Sequence, residues 1–355
     1  MFDKLASIEA RYQELEDLLA DPDVTADYEK VVEYSKERAG IEDMVAAYRR
    51  YLSMQSDLQG AREMLREVLA STFAGQGDLA LQVIVIDNAS TDGSAEMVAA
   101  EFPQAALIRN TENRGFAAAN NQGFERATGR HILLLNSDTI VLGDVLPASV
   151  RYLDEHPRVG AMGCRVLNTD GTMQRTCSMF PGFLNLALLT SGLWKLRWPR
   201  FLGRYHMTDW ARDSERQVEV ISGCYLMLRR EVLEQVGPLD EAFFFFGEET
   251  DWCRRMRAAG WELRFAPVGE IVHHGGGSVR KLNHKRDVML TDAMVRLNRK
   301  HSGPVAGTAV WALLFGFNLS RAAFWGLRSL IQRRPAHRDR AQHFCRVVAG
   351  QLGRG

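Results

Sequence analysis

The strongest constraint in this chain is a change of apolar period partway along it. Over residues 1–68, Leu5, Ile8, Tyr12, Leu15 and Leu19 recur at steps of three and four, and after Asp21-Pro22-Asp23 a second run continues through Val31, Tyr34, Ile41, Met44 and Tyr48. That spacing lines one face of a helix, and the proline with its flanking acids interrupts it. From about Leu81 the texture becomes short apolar runs alternating with amphipathic stretches, which predicts an α/β sheet with mostly parallel strands. A helical hairpin or small bundle followed by an α/β domain satisfies both, and 355 residues suffice for about two domains.

An apolar fraction of 46% excludes a disordered tail, a collagen-like repeat or a polytopic membrane protein. The 44 basic and 44 acidic side chains cancel, but they are sorted along the chain. Residues 1–70 carry 16 acids and 9 bases, 71–279 carry 25 and 20, and 280–355 carry 3 and 15, or −7, −5 and +12 in order. A basic end of this size points to a polyanion or an anionic membrane surface as a neighbour. No basic stripe interleaved with aromatics occurs in the middle segment, so no nucleic acid partner is expected. Five widely spaced cysteines with no CxxC pair suggest neither a disulfide framework nor a zinc ribbon. Met1-Phe2-Asp3-Lys4 lacks the basic head and apolar core of a secretory signal, so a reducing cytoplasm is the expected compartment.

The predicted strands are Leu81–Ile86, Leu107–Arg109, Ile132–Leu135, Val159–Cys164, Val218–Ile221, Tyr225–Leu228 and Leu263–Ala266. Predicted helices are Ser94–Glu101, Phe116–Ala127, Val145–Glu155, Arg230–Gln235 and Glu249–Ala259. Near the end, Ser302–Ser320 is uncharged for 19 residues but diluted by glycine, proline and asparagine, and Arg321, Arg328 and Arg333-Arg334 follow it. A spanning helix and an interfacial helix with a polybasic flank fit equally.

Five polar constellations stand at the ends of these runs. In the first, a strand delivers Asp87 and Asn88 to its C-terminal edge, where open α/β sheets bind ligands, and Asp92-Gly93-Ser94 caps the next helix. An acid at that edge can bond a base or ribose. In the second, Asn113-Arg114-Gly115 offers a close backbone approach and a guanidinium fork for phosphate, with Asn120 one turn into the helix. In the third, Asn136-Ser137-Asp138 puts two oxygen-bearing side chains on one side of an extended segment, able to reach a hard divalent cation such as Mn2+ or Mg2+; a plain polar turn has the same spelling.

The fourth constellation joins Ser222-Gly223-Cys224 to Phe243-Phe244-Phe245-Phe246-Gly247 and Glu248-Glu249-Thr250-Asp251-Trp252. Three acids in a first helical turn suit the helix dipole, which explains one of them; a carboxylate beside an aromatic wall can also serve as general base. The fifth is His273-His274 followed by Gly275-Gly276-Gly277-Ser278, which suits a mobile loop carrying a phosphate or metal ligand.

Two resemblances follow. Residues 1–67, from MFDKLASIEARYQELEDLLADPD to GAREMLRE, resemble the N-terminal helical domain of class I peptide chain release factors. That family's release activity needs a Gly-Gly-Gln tip, and Ala74-Gly75-Gln76 is not that motif, so the resemblance implies a helical module without termination of translation. The five constellations, in this order over about 68–297, resemble family 2 glycosyltransferases of the GT-A fold, in the bacterial branch often described as rhamnosyltransferase-like. The resemblance implies a GT-A, Rossmann-like mixed sheet flanked by helices, with 298–355 as an apolar helix and basic tail.

By the same resemblance, Asp87 contacts the nucleotide base, Asn136 to Asp138 stands at the metal-binding DxD motif, and His273 or His274 lies near metal and diphosphate. The catalytic base falls on Glu248-Glu249, with Asp251 beside it. Asn88, Asp92, Asn113, Arg114, Gly115, Asn120, Asn136, Gly223 and Trp252 are the candidate substrate contacts, and Asp138, His273 and His274 the candidate metal ligands. The expected reaction is inverting transfer of a sugar such as rhamnose from a dTDP- or UDP-sugar to a lipid-linked or polysaccharide acceptor at the inner membrane face.

Three departures qualify this. Asn136 replaces the first DxD aspartate, and Glu249 stands where many relatives have Asp. Relatives also open with a strand of the type VSVVIVNWN, and no such strand precedes Leu65–Thr72, which resembles the end of their first helix. A fused or recombined reading frame accounts for that join, and the alternative expectation is an impaired chimeric scaffold that acts as a binding protein through its helical module.

Overall fold

The computed structural model describes residues 2–196, 199–275 and 282–353. The chain divides into two compact units, Met1–Glu63 and Met64–Gly355.

In the first unit, helix α1 (Phe2–Ala20) ends before Asp21, whose carboxylate accepts from the Asp23 N–H at 2.9 Å. Pro22 opens the single turn α2 (Pro22–Thr25), where its missing N–H costs nothing. Helix α3 (Tyr28–Ala74) then starts behind Asp27, which accepts from the N–H groups of Glu29 and Lys30. The two long helices run antiparallel: Arg11 pairs with Glu37, Arg49 with Glu9, and Phe2 stacks on Tyr51. Tyr12, Leu15 and Val45 are buried between them, which places two of the periodic apolar positions of the sequence at the seam.

The second unit begins inside α3 and continues as β1 (Ile84–Asp87), α4 (Ser94–Glu101), β2 (Ala106–Arg109), α5 (Gly115–Arg126), β3 (His131–Leu135) and β4 (Thr139–Val141). Next come α6 (Val145–Glu155), β5 (Val159–Leu167), β6 (Cys177–Ser178), α7 (Phe183–Thr190), β7 (Arg216–Gln217), β8 (Val220–Ile221) and β9 (Tyr225–Arg229). The unit closes with α8 (Arg230–Val236), α9 (Glu248–Ala258), β10 (Glu262–His273), α10 (His284–Gln332) and α11 (Pro335–Leu352).

Its main sheet has six strands in the order β3-β9-β5-β10-β4, with β7 also on β10. Only β5 and β10 pair in parallel within it, so the expectation of mostly parallel strands is corrected to a mixed sheet. Separate two-stranded sheets are formed by β1 with β2, in parallel, and by β6 with β8. The predicted strand Val218–Ile221 shrinks to β8. β10 runs to His273, well beyond the predicted Ala266, because its far half crosses β4 as well as β5. The sheet is covered by α6 on one face, through Val145, Leu146 and Leu153, and on the other by α5 and α9, through Phe124, Trp252 and Met256.

α10 starts at His284, so the segment expected to begin at 298 is continuous with the α/β unit. Asn298 donates to the Pro181 carbonyl, and Lys300 and His301 reach Asp251. Gly303, at φ 87° and ψ 170°, and Pro304 break the helix into two rods. α11 packs back along the second rod, where Asn318 donates to Gln351 and Arg340 lies over the Trp325 ring.

Candidate active site

The site gathers at the C-terminal ends of β1, β3 and β10. β10 runs antiparallel to β4 with His273 opposite Thr139, and the His274 N–H donates to the Asp138 carbonyl at 2.9 Å. This register brings His273 Nε2 to 3.2 Å from the Asp138 carboxylate and 3.4 Å from Asn136 Nδ2. Sequence reasoning left the two histidines equivalent. Only His273 reaches Asp138, while the His274 ring turns toward Glu67 of α3, 3.6 Å away. The pair also sits at a strand end rather than in a loop; Gly276, Gly277 and Ser278 lie outside the described residues.

Gln174 is a further partner of His273. The Gln174 amide Nε2 donates to the His273 carbonyl at 2.7 Å, which turns its Oε1 to His273 Nδ1 at 2.9 Å. An oxygen there requires Nδ1 to carry the proton, and Asn136 Nδ2 donates toward Nε2 from the other side. With Nδ1 so engaged, Nε2 is the ring atom turned toward the Asp138 carboxylate, 3.2 Å off. This donor set, one carboxylate oxygen and one imidazole nitrogen, fits a divalent ion. Among the described residues no group of three His, Cys, Asp or Glu side chains converges, so the other ligands would have to be water and substrate oxygens, as Mg2+ and Mn2+ commonly take them. Gln174 lies in an irregular loop after β5 with no motif around it, and nothing in the sequence marks it.

Asn88 organises the loops that follow β1 and β2. Its Oδ1 accepts from the Arg114 N–H and from Asn110 Nδ2, and its Nδ2 donates to Asn113 Oδ1 and the Gly115 carbonyl. Asn113 in turn accepts from the Gly115 N–H. Gly115 has φ +81°, and a Cβ there would stand 2.6 Å from the Phe244 carbonyl oxygen, which accepts from the Phe116 N–H. Glycine is thus required where the phenylalanine loop docks on α5. Asp87 is half-buried and accepts from the Ser90 N–H, while Asp92 caps α4 by accepting from the Ser94 N–H. Arg114 is exposed at the start of α5.

The acidic edge resolves into two environments. Phe246 takes φ 71°, an unusual value for a bulky side chain, and Gly247 φ 91°; together they turn the chain into α9. Glu248 is 4% exposed, and among the described residues one oxygen of each of Glu248 and Glu249 is buried without a hydrogen-bond partner. Burial, and then repulsion by Glu249, pushes Glu248 up to about 8; burial also raises Glu249. Burial raises the Cys224 thiol, and the Asp138 and Glu249 carboxylates add to that rise. Burial, and then the Glu249 carboxylate, raises the Tyr205 phenol.

Asp251 is different. It is fully buried and held by Arg255, Lys300 and His301 at 2.7 to 2.8 Å, so it anchors α9 to α10. Trp252 corrects the expectation of a substrate contact: it is 0% exposed, stacks on Phe124 and donates to the Gly237 carbonyl. Gly223 is buried beneath the Phe116 ring, and Asn120 donates to the Phe116 carbonyl and faces a cavity between β1 and β3.

The glycosyl transferase family 2 profile matches residues 59–237, half of the chain, and the PCRF domain profile matches residues 8–86. N-acetylglucosaminyl-diphospho-decaprenol L-rhamnosyltransferase of Mycobacterium tuberculosis is 27% identical over 210 residues, covering 55% of this chain and 66% of the relative, just under two thirds of its length. Peptide chain release factor 1 of Oceanobacillus iheyensis is 46% identical over 69 residues, 19% of each chain. A mannosyltransferase from Pyrobaculum calidifontis, solved with GDP-Man and Mn2+, aligns over 82% of each chain at 18% identity and a TM-score of 0.47, too low to carry an argument about function. A family match over half of the chain is decisive for the α/β part: the chain belongs to glycosyl transferase family 2 and carries, ahead of that domain, a segment similar to the N-terminal region of release factor 1.

Proposed function

We propose that the α/β unit transfers a sugar from a nucleotide-sugar, dTDP- or UDP-linked, to a lipid-linked or polysaccharide acceptor with inversion at the anomeric carbon. The observations that carry this reading are His273 Nε2 3.2 Å from the Asp138 carboxylate at the ends of two neighbouring strands, and the buried Glu248 and Glu249, each with one carboxylate oxygen that lacks a hydrogen-bond partner among the described residues.

Asp87 and the Asn88-organised loop would receive the nucleoside, with Arg114 at the start of α5 available to phosphate. Asp138 and His273 would hold a divalent ion, which when bound supplies Lewis-acid stabilisation of the departing diphosphate. Gln174 keeps the proton on Nδ1 of His273 and so keeps Nε2 free as a ligand. Glu248 or Glu249 would take the proton of the acceptor hydroxyl as it attacks the anomeric carbon. A carboxylate raised by burial is a stronger base than one in water, which suits that step near neutral pH. The exposed rings of Phe244 and Phe245 flank this edge and offer an apolar wall to the acceptor.

The second rod of α10 supports an inner-membrane location. Leu327, Leu330 and Ile331 are 61 to 74% exposed and stand among Arg321, Arg328, Arg333 and Arg334. By length and composition α10 is the one described helix able to cross a membrane, and its kink and basic flank suit an interfacial position as well.

The test is sugar transfer by the native chain, Asp138→Ala, Glu248→Gln and Glu249→Gln with Mn2+ present. Loss in Asp138→Ala and in one glutamine variant is expected; unchanged turnover in all three would remove the site assignment. The second reading, an impaired scaffold, is favoured by the cavity between β1 and β3. It predicts no metal-dependent heat on titration with dTDP or UDP.

A further inference from the structure

We propose that the opening between β1 and β3 receives an extended segment of a second polypeptide, which adds a strand there and joins the two-stranded and six-stranded sheets. The proposal does not depend on the transferase reading.

The first ground is the main chain. Among the described residues β1 pairs only with β2, and β3 only with β9. On β1, the carbonyls of Val83 and Asp87 accept from β2 and the residue after it, so the odd residues face β2 and Ile84 and Ile86 turn their N–H and C=O groups the other way. On β3, the Arg130 carbonyl accepts from the Arg230 N–H and the Asn136 N–H donates to the Cys224 carbonyl. Even residues there face β9, and the odd ones, Leu133 and Leu135 among them, face the opening. Two strand edges with unused donors and acceptors therefore look at each other across one cavity.

The second ground is size and lining. The cavity measures about 680 Å³ and contains Ile84, Ile86, Leu133 and Leu135 on its lining. Its two faces are closed by helices, α5 through Phe124 and Ala127 and α6 through Leu146 and Val150. A strand spaced ~4.8 Å from each neighbour in a layer ~10 Å thick, rising ~3.3 Å per residue, fills roughly 160 Å³ per residue. The cavity thus holds about four residues, the length of β1 itself. Covered on both faces, the inserted strand would be apolar on both sides, a run of Val and Ile rather than an alternating one.

The third ground is that the edges are held in place. Gln82 donates to the Arg126 carbonyl at 3.0 Å and accepts from the Thr128 N–H at 2.8 Å, tying the entry to β1 to the turn before β3. A small apolar molecule could fill the space but would leave both rows of peptide groups unpaired, at roughly 1–3 kcal/mol for each buried group. An extended backbone satisfies both rows at once.

The test uses the full chain and the synthetic peptide KKVIVIVKK, read by amide hydrogen exchange. Exchange at Ile84, Ile86, Leu133 and Leu135 should slow at least tenfold at saturating peptide, while amides in the centre of β10 stay unchanged. The same peptide N-methylated at its central valine and isoleucines keeps the apolar side chains and loses the donors; it should give no slowing. No protection with the first peptide, or equal protection with both, would overturn strand addition. Sugar transfer is not read, so the outcome is independent of catalytic competence.

Discussion

Glu248 and Asp251 stand three residues apart in the first turn of the same helix, both are buried, and they have opposite fates. Asp251 is surrounded by Arg255, Lys300 and His301; Glu248 has a partnerless oxygen and a second carboxylate next to it. Burial alone therefore assigns neither a structural nor a chemical role. The difference lies in what arrives from elsewhere in the chain: the first rod of α10 delivers Lys300 and His301 to Asp251 and no described partner to Glu248. A buried charge with partners fixes α9, and a buried acid without them remains available for proton transfer.

The comparison breaks most readily at Glu248. Glu248→Gln should lower turnover by about 10²–10⁴-fold, the usual contribution of a general base, while leaving the unfolding midpoint in urea at pH 7 unchanged or higher. Asp251→Ala should do the reverse. Removing the buried carboxylate takes one partner from each of Arg255, Lys300 and His301, and a loss of about 3–5 kcal/mol is expected in the same urea titration. If Asp251→Ala unfolds no more easily than the native chain, the contrast between paired and unpaired acids collapses.

The pH dependence sharpens it. Glu248 is raised from 4.5 in the unfolded chain to about 8 in the folded one, so the unfolded state loses its proton first. The folded state is favoured below pH 4.5, and stability contributed by this group falls by up to about 1.4 kcal/mol per pH unit between pH 4.5 and 8. Glu248→Gln should flatten that part of a stability profile, and turnover of the native chain should rise through the same upper limit as the base ionises. A smaller effect, about 1–3 kcal/mol, is expected for Gly115→Ala from strain at positive φ and collision with the Phe244 carbonyl, measured by thermal unfolding. The smallest belongs to Arg66→Ala. Its ion pair with Glu101 is short but solvent-exposed, so no resolvable change in the urea midpoint is expected.

Much of this was legible in order along the chain. Ser94–Glu101 and Val145–Glu155 are helices at the residues their apolar spacing predicts, because local periodicity decides such segments. The short strands β4, β6 and β7 and the helix α7 were not legible. Two or three residues carry no period, and those strands exist only because a longer partner supplies their hydrogen bonds. At the candidate site, Asp138, His273, His274, Glu248 and Glu249 all stand out as polar residues at the ends of apolar runs. Trp252 stood out equally and belongs to the core, since an aromatic beside an acidic turn spells the same whether it faces solvent or Phe124.

The sequence by itself determined the two-part character of the chain, the acidic helical hairpin ahead of an α/β unit, because helix and strand periods are properties of neighbouring residues. It also carried the identity of the polar residues at the strand ends. Only the tertiary structure decided which histidine meets Asp138, that Gln174 sets its tautomer, and that of three neighbouring acids one is neutralised by a helix 50 residues downstream. Those outcomes depend on register and packing between distant segments, where a shift of one residue turns a side chain to the opposite face.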